Sequence, residues 1–267
     1  MAIVVKPAGR IEEWTAELRA QMPHEDLRIW PDIGDPAEAE YLIAWRATAD
    51  ELASMPNLEL ILCQGAGTEQ WQQPGMNLPV VRLADPEMAS EMAGYAVAWV
   101  LRHQRRFDDL QASQRKGEWK VPEIIQPYRY HVGVLGYGEI GSRISRAFAD
   151  LGYAVNAWTR SGRDEAGVTH YAGAGQLAEF LGASNAVINV LPSTEATTGL
   201  LTAERLAQFA PGSIFVNVGR GTVLESEADL VDTLDNGPIA AAVLDVTEPE
   251  PPADDSPLWR HPAVTLT

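Results

Sequence analysis

Three glycines, Gly136, Gly138 and Gly141, spell a GxGxxG within the run His131-Val-Gly-Val-Leu-Gly-Tyr-Gly-Glu-Ile-Gly141. Alone such a motif is weak; its setting here makes it strong. The residues from His131 to Leu135 read as a strand, and Ile140, Ile144, Ala147, Phe148 and Leu151 then fall on one helical face. The apolar run from Tyr153 to Trp158 supplies a second strand and completes a βαβ unit. In that setting Gly136 permits the tight turn, Gly138 lets the backbone approach a pyrophosphate, and Gly141 lets helix and strand pack closely. The first helical turn, with Glu139 and Ile140, offers N–H groups and a positive dipole end to the anion. The chemistry indicated is dinucleotide binding.

Cofactor choice in such a unit is made at the end of the second strand, where a carboxylate would accept hydrogen bonds from a ribose 2′-hydroxyl. No carboxylate lies between Val155 and Arg163. Arg160 and Arg163 instead offer charge, and Thr159 and Ser161 offer hydroxyl donors, a set suited to a 2′-phosphate. The expectation is NADPH (NADP) in preference to NADH, with NADH as second candidate. The alternative is a pair of solvated arginines.

Two later strands carry the next candidates. Ala186 to Pro192 is an apolar run ending in proline, and Ser213 to Val218 ends in Gly219-Arg220-Gly221. Open parallel sheets bind ligands at the carboxyl ends of their strands, which places Arg220 where a substrate would lie. A guanidinium flanked by glycines has room to fork onto an α-ketoacid carboxylate and its carbonyl. Periodicity alone leaves a structural ion pair as an equal reading.

These residues need positioning elements, and the rest of the chain supplies them. Ile3 to Val5, Tyr41 to Trp45, Leu58 to Cys63 and Val80 to Leu83 read as strands. Ile11 to Met22, Ala49 to Met55 and Met88 to Phe107 read as helices, and Arg115 to Tyr130 as a connection. The alternation predicts an α/β protein of two Rossmann-like domains with parallel sheets and a cleft between them. A flavodoxin-like substrate domain is expected over 1–98 and an NAD(P)-binding domain over 99–267.

Composition narrows the function class. The chain has 267 residues, 46% of them apolar, enough to bury a core in each of two domains. With 37 acidic against 20 basic residues its net charge is −17, which disfavours a hold on nucleic acid or an anionic membrane. No run of about 18 apolar residues occurs, and the N-terminus does not read as a leader, so a cytoplasmic setting is expected. Cys63 is the single cysteine and has no metal-ligand spacing around it, so no disulfide and no metal site are expected.

The blocks VGVLGYGEIGSRIS, VLPSTEATTGLL, FVNVGRGTVLESEADLVDTLDNG, AAVLDVTEPEP and SPLWRHPAVTLT, in that order and spacing, resemble the D-isomer-specific 2-hydroxyacid dehydrogenase family, most closely its glyoxylate/hydroxypyruvate reductase branch. The resemblance implies that Arg220 binds substrate carboxylate and ketone, that Asp245 holds the nicotinamide carboxamide, and that Glu250 orients a catalytic histidine. It also implies that Leu191, Pro192, Thr197, Val218 and Gly219 line the cofactor. In the first domain, Ala66 and Gly67 of the Cys63-Gln-Gly-Ala-Gly67 turn would cradle the carboxylate with their N–H groups, as an anion nest. Trp45 and Met88 resemble pocket-lining residues, with core packing the alternative for each.

The family pattern implies a histidine as proton donor after the last strand. His261 comes several residues too early, and His24, His103, His131 and His170 lie outside the matching motifs. The resemblance therefore places the acid, and a helix completing the first domain, beyond Thr267. The expected function is NADPH-dependent reduction of small 2-ketoacids, glyoxylate to glycolate and hydroxypyruvate to D-glycerate, in a homodimer. Reduction of a bulkier ketoacid such as phenylpyruvate, or a non-catalytic dinucleotide sensor, are the alternatives.

Overall fold

The computed structural model describes residues 1–72, 76–163 and 165–267. The chain forms two compact units, Met1–Asp85 and Pro86–Thr267. In the first, β1 (Ala2–Lys6), α1 (Ile11–Gln21), β2 (Leu27–Ile29), β3 (Ala39–Ala44), α2 (Ala49–Ala53), β4 (Leu60–Cys63) and β5 (Val80–Val81) succeed one another. The sheet order is β2-β1-β3-β4-β5, every pair parallel, which is the flavodoxin-like order. Val4, Leu42, Ala44, Ile61 and Cys63 meet Met55, Leu58 and Trp71 in its core, and the Cys63 thiol is buried there.

The second unit opens with α3 (Pro86–Gln104) and α4 (Phe107–Arg115). There follow β6 (His131–Leu135), α5 (Glu139–Asp150), β7 (Ala154–Thr159), β8 (Val168–Ala172), α6 (Leu177–Gly182) and β9 (Ala186–Asn189). The chain continues through α7 (Ala203–Leu206), β10 (Ser213–Asn217), α8 (Glu227–Asn236), β11 (Ile239–Leu244) and β12 (Val264–Leu266). The sheet runs β12-β11-β10-β9-β6-β7-β8, all parallel, so the direction of winding reverses between β6 and β9. Side chains alternate across it. Val132, Val134, Ile188, Ile214 and Val216 pack on one face with Ile144 and Phe148 of α5. Leu135, Val187, Phe215 and Leu244 fill the other with Phe180 and Leu230. A strand buried on both faces has to be apolar at every position, which is why these runs are continuous rather than alternating.

Four sequence expectations change. The units divide at Asp85/Pro86 and not at 98/99, because α3 packs on α5 and buries Ala93, Ala96 and Val100 in the core of the second unit. The helix expected to run to Phe107 stops at Gln104, and α4 starts afresh after Arg106, whose φ of 53° turns the chain. Ion pairs from Arg102 to Asp108 and from Arg106 to Asp109 brace that corner. Strands β2 and β8 were not expected, since Leu-Arg-Ile is short and Val-Thr-His-Tyr-Ala is half polar. No helix among the described residues is long and apolar enough to cross a membrane.

Candidate active site

The turn between β6 and α5 is built as its glycines require. Gly136 has φ 102°, a left-handed conformation that a side chain resists, and its N–H bonds the Trp158 carbonyl at 2.9 Å. A Cβ on Gly141 would lie 2.0 Å from the Gly136 carbonyl oxygen, so helix and turn touch there. At Gly138 a Cβ would meet nothing within 4 Å, leaving open space over the start of α5. No side chain caps that helix. Ile140 turns its side chain to the core, so the backbone of this first turn is what faces outward. Such a terminus accommodates a phosphate.

β7 ends at Thr159, whose Oγ1 is buried with no partner among the described residues, an orphan that a ligand oxygen would satisfy. Arg160, Ser161 and Arg163 follow, all exposed. The Arg163 guanidinium lies 5.9 Å from the centroid of the Tyr137 ring. Burial and the nearby Glu165 carboxylate push the Tyr137 phenol up to about 12. These groups fit a phosphorylated dinucleotide.

Two buried amides that sequence reading overlooked organise the other side of the switch point. Asn189 ends β9 and Asn217 ends β10, both fully buried. Asn189 Nδ2 donates to Asn217 Oδ1 at 2.8 Å, while Asn189 Oδ1 accepts from Leu191 N at 3.1 Å. Asn217 in turn accepts from Gly219 N at 3.2 Å and donates to the Arg220 carbonyl at 3.0 Å. One amide pair thus fixes both turns, the one carrying Leu191 and Pro192 and the one carrying Val218 to Arg220. The glycines beside Arg220 do not make room for its side chain. A Cβ on Gly219 would sit 2.8 Å from the Leu191 carbonyl oxygen, and one on Gly221 2.1 Å from the Thr247 carbonyl carbon, so both serve close backbone packing. Arg220 itself is half-buried, with Nη1 donating to the Gly219 carbonyl at 2.7 Å. The Thr197 hydroxyl closes its own loop, donating to the Pro192 carbonyl and accepting from Thr194 N at 2.9 Å.

Asp245 follows β11 and accepts from the Thr267 hydroxyl at 3.2 Å, which accepts in turn from Tyr95 of α3 at 2.7 Å. Asp245 and Glu250 share a cavity of about 320 Å³ with Thr247, Trp259, Leu266 and Thr267. No histidine is among the described residues lining it. His261 instead faces Asp235 at 3.3 Å. Met88 is half-buried in the first turn of α3.

In the first unit, Trp45 and the Gly65 turn come together. A Cβ on Gly65 would strike the Trp45 ring at 1.9 Å, so the indole lies directly on that glycine. Gln70 ties the pair, donating to the Trp45 carbonyl at 2.8 Å and the Gly67 carbonyl at 3.4 Å. Neither Gly65 nor Gly67 takes a left-handed conformation. Among the described residues, the backbone bonds of the turn leave the N–H groups of Ala66 and Gly67 unused.

A seven-stranded parallel sheet of this order, with a glycine turn and a bare helix N-terminus at its switch point, defines a dinucleotide-binding α/β protein. Residues 97–267 match the model for the NAD binding domain of D-isomer specific 2-hydroxyacid dehydrogenases. Glyoxylate/hydroxypyruvate reductase A of Serratia proteamaculans is 37% identical over 273 residues, covering 99% of this chain and 87% of that one. A D-isomer specific 2-hydroxyacid dehydrogenase from Xanthobacter autotrophicus Py2, solved with NADPH and MES, superposes with a TM-score of 0.92 at 37% identity, over 100% of this chain and 87% of that one. An NADPH-dependent glyoxylate/hydroxypyruvate reductase from Sinorhizobium meliloti, solved with NADP and sulfate, gives 0.90 at 29% identity, over 100% and 88%. The chain belongs to the D-isomer specific 2-hydroxyacid dehydrogenase family, NAD(P)-dependent oxidoreductases.

Proposed function

We propose that this enzyme reduces small 2-ketoacids, glyoxylate and hydroxypyruvate foremost, with NADPH as reductant. The observation that carries the reading is the placement of Arg220 at the carboxyl end of β10, fixed by Asn217, on the same sheet edge as the Gly136–Gly141 turn. A bound nicotinamide cofactor supplies the hydride that attacks the ketone carbon. Arg220 binds the carboxylate and stabilises charge that develops on the ketone oxygen. Asp245 accepts from the carboxamide and orients the ring, and Glu250 is the carboxylate partner of the group that delivers the proton. Leu191, Pro192, Thr197, Val218 and Gly219 border the ring, and Gly138, Glu139 and Ile140 present backbone to the pyrophosphate. In the first unit, the Ala66 and Gly67 N–H groups beside Trp45 offer donors of a kind suited to a carboxylate. The names of the relatives support the substrate class.

NADPH is favoured by Thr159, Arg160, Ser161 and Arg163, with no carboxylate between Val155 and Arg163 to accept from a ribose 2′-hydroxyl. A charge-assisted hydrogen bond contributes roughly 1.5–3 kcal/mol, about tenfold or more in affinity. Titration with both cofactors is expected to give tighter binding of NADPH, with most of the margin gone in Arg160→Ala. Initial rates on a panel of ketoacids are expected to favour glyoxylate and hydroxypyruvate over phenylpyruvate. Equal dissociation constants for NADPH and NADH would overturn the cofactor assignment, and a preference for phenylpyruvate the substrate assignment.

A further inference from the structure

Phosphate binding explains the glycines of the β6–α5 turn but not the residue between the first two, Tyr137. An exposed, small or aliphatic residue would serve a turn as well, yet this ring is 5% exposed and engaged by two side chains. The His170 ring of β8 meets it in a T-shaped contact, centroids 4.9 Å apart at 83°. Arg163 stands 5.9 Å from its centroid, within cation–π range. Burial and the nearby Glu165 carboxylate push its phenol up. Both ring nitrogens of His170 are buried without a partner among the described residues, so that side chain acts here as a packing wall behind the tyrosine.

The two loop charges near Tyr137 have opposite consequences for a 2′-phosphate. Arg163 attracts it and Glu165 repels it. We propose that Tyr137 is a positioning residue for cofactor choice: its ring face, braced by His170, holds Arg163 toward the 2′-phosphate. This rests on the reading of Arg163 as a phosphate-facing group. Tyr137 is the only ring among the described residues recorded within cation–π range of Arg163, and His170 braces it. The ring face carries the selectivity; the hydroxyl contributes less, because an exposed carboxylate is screened by water.

The test is dissociation constants for NADPH and NADH, measured separately on variants of the full chain. Tyr137→Leu removes ring and hydroxyl and is expected to weaken NADPH about three- to tenfold, NADH holding within about twofold, the scale of a lost cation–π contact and a released arginine. Tyr137→Phe keeps the face and should stay within about twofold of the parent for both. On an Arg163→Ala background, Tyr137→Leu should add nothing to the loss of NADPH affinity. Arg163→Lys leaves Tyr137 untouched and keeps the charge without the planar guanidinium; it is expected to fall between the parent and Arg163→Ala.

Unchanged NADPH binding in Arg163→Ala would overturn the phosphate-facing assignment itself. A loss in Arg163→Ala with none in Tyr137→Leu would overturn the positioning role alone. Equal weakening of both cofactors in Tyr137→Leu would make the tyrosine a structural residue. A Tyr137→Phe loss as large as that of Tyr137→Leu would transfer the effect to the hydroxyl and overturn the ring-face argument. If Tyr137→Leu does not fold, parental NADPH affinity in Arg163→Lys is the result that overturns it.

Discussion

At the scale of single residues, chemistry was legible where it depends on the backbone and obscure where it depends on what the backbone touches. The roles read for Gly136, Gly138 and Gly141 need only a turn, an open approach and a close helix, and all three appear in the structure. The glycines beside Arg220 were misread because their neighbours, Leu191 and Thr247, come from turns distant in sequence. Asn189 and Asn217 left a signal: Ala-Val-Ile-Asn and Ile-Phe-Val-Asn end two apolar strands in an amide at matching positions, and the two residues pair in register. A polar residue placed twice at the end of a buried strand has to find a partner, and the nearest is its own counterpart. The consequence for Arg220 is a fixed backbone and a guanidinium aimed by it. Arg220→Lys keeps the charge but loses the planar fork, and kcat/KM for glyoxylate is expected to fall at least about a hundredfold with NADPH affinity unchanged. Near-parental turnover would make Arg220 a structural residue.

At the scale of elements, long amphipathic or continuously apolar segments were recognised, and short edges were not. β2 and β8 lie at the ends of their sheets and pair with one neighbour each, so water covers enough of them to admit arginine and threonine. The corner between α3 and α4 was hidden because nothing in Arg-His-Gln-Arg-Arg breaks a helix; the charge pairs to Asp108 and Asp109 redirect it. A similar device joins β1 to α2. Lys6 Nζ donates to both Glu51 oxygens at 2.5 and 2.6 Å, while Glu51 and Thr48 form a capping box at the start of α2. Burial pushes the Glu51 carboxyl up, but the bonds from Lys6 and Thr48 outweigh it and leave it below the usual range. A carboxyl lowered by folding stabilises the folded state above its unfolded value and loses that contribution as pH falls through the folded one. Lys6→Met should therefore destabilise the chain by about 1–2 kcal/mol near neutral pH, and by less in acid, in denaturant titrations at two pH values. An equal effect at pH 7 and pH 3 would show that the ion pair contributes nothing.

At the scale of the whole molecule, the alternation of strands and helices announced two parallel sheets, and the strand orders completed the picture with contacts that periodicity does not encode. The acidic balance of −17 makes acid interesting for another reason. His103, at the end of α3, is held neutral by burial, which outweighs the bond to the Gly212 carbonyl, and its value is depressed. The unfolded chain therefore takes up this proton first, so stability is present above about pH 6.5 and drains away below it. In His103→Gln the slope of Tm against pH between 7 and 5 should flatten; an unaltered slope would exclude His103 as a source. The parallel winding also has a consequence for synthesis. Val132 of β6 pairs with Ala186 of β9, 54 positions later (186 − 132), and no strand of either sheet closes a local hairpin. At about 5–20 residues per second, β6 leaves the ribosome roughly three to eleven seconds before its inner neighbour is made. For that interval the β9-facing edge of β6 stands unpaired, open to whichever chaperone or neighbouring chain arrives first.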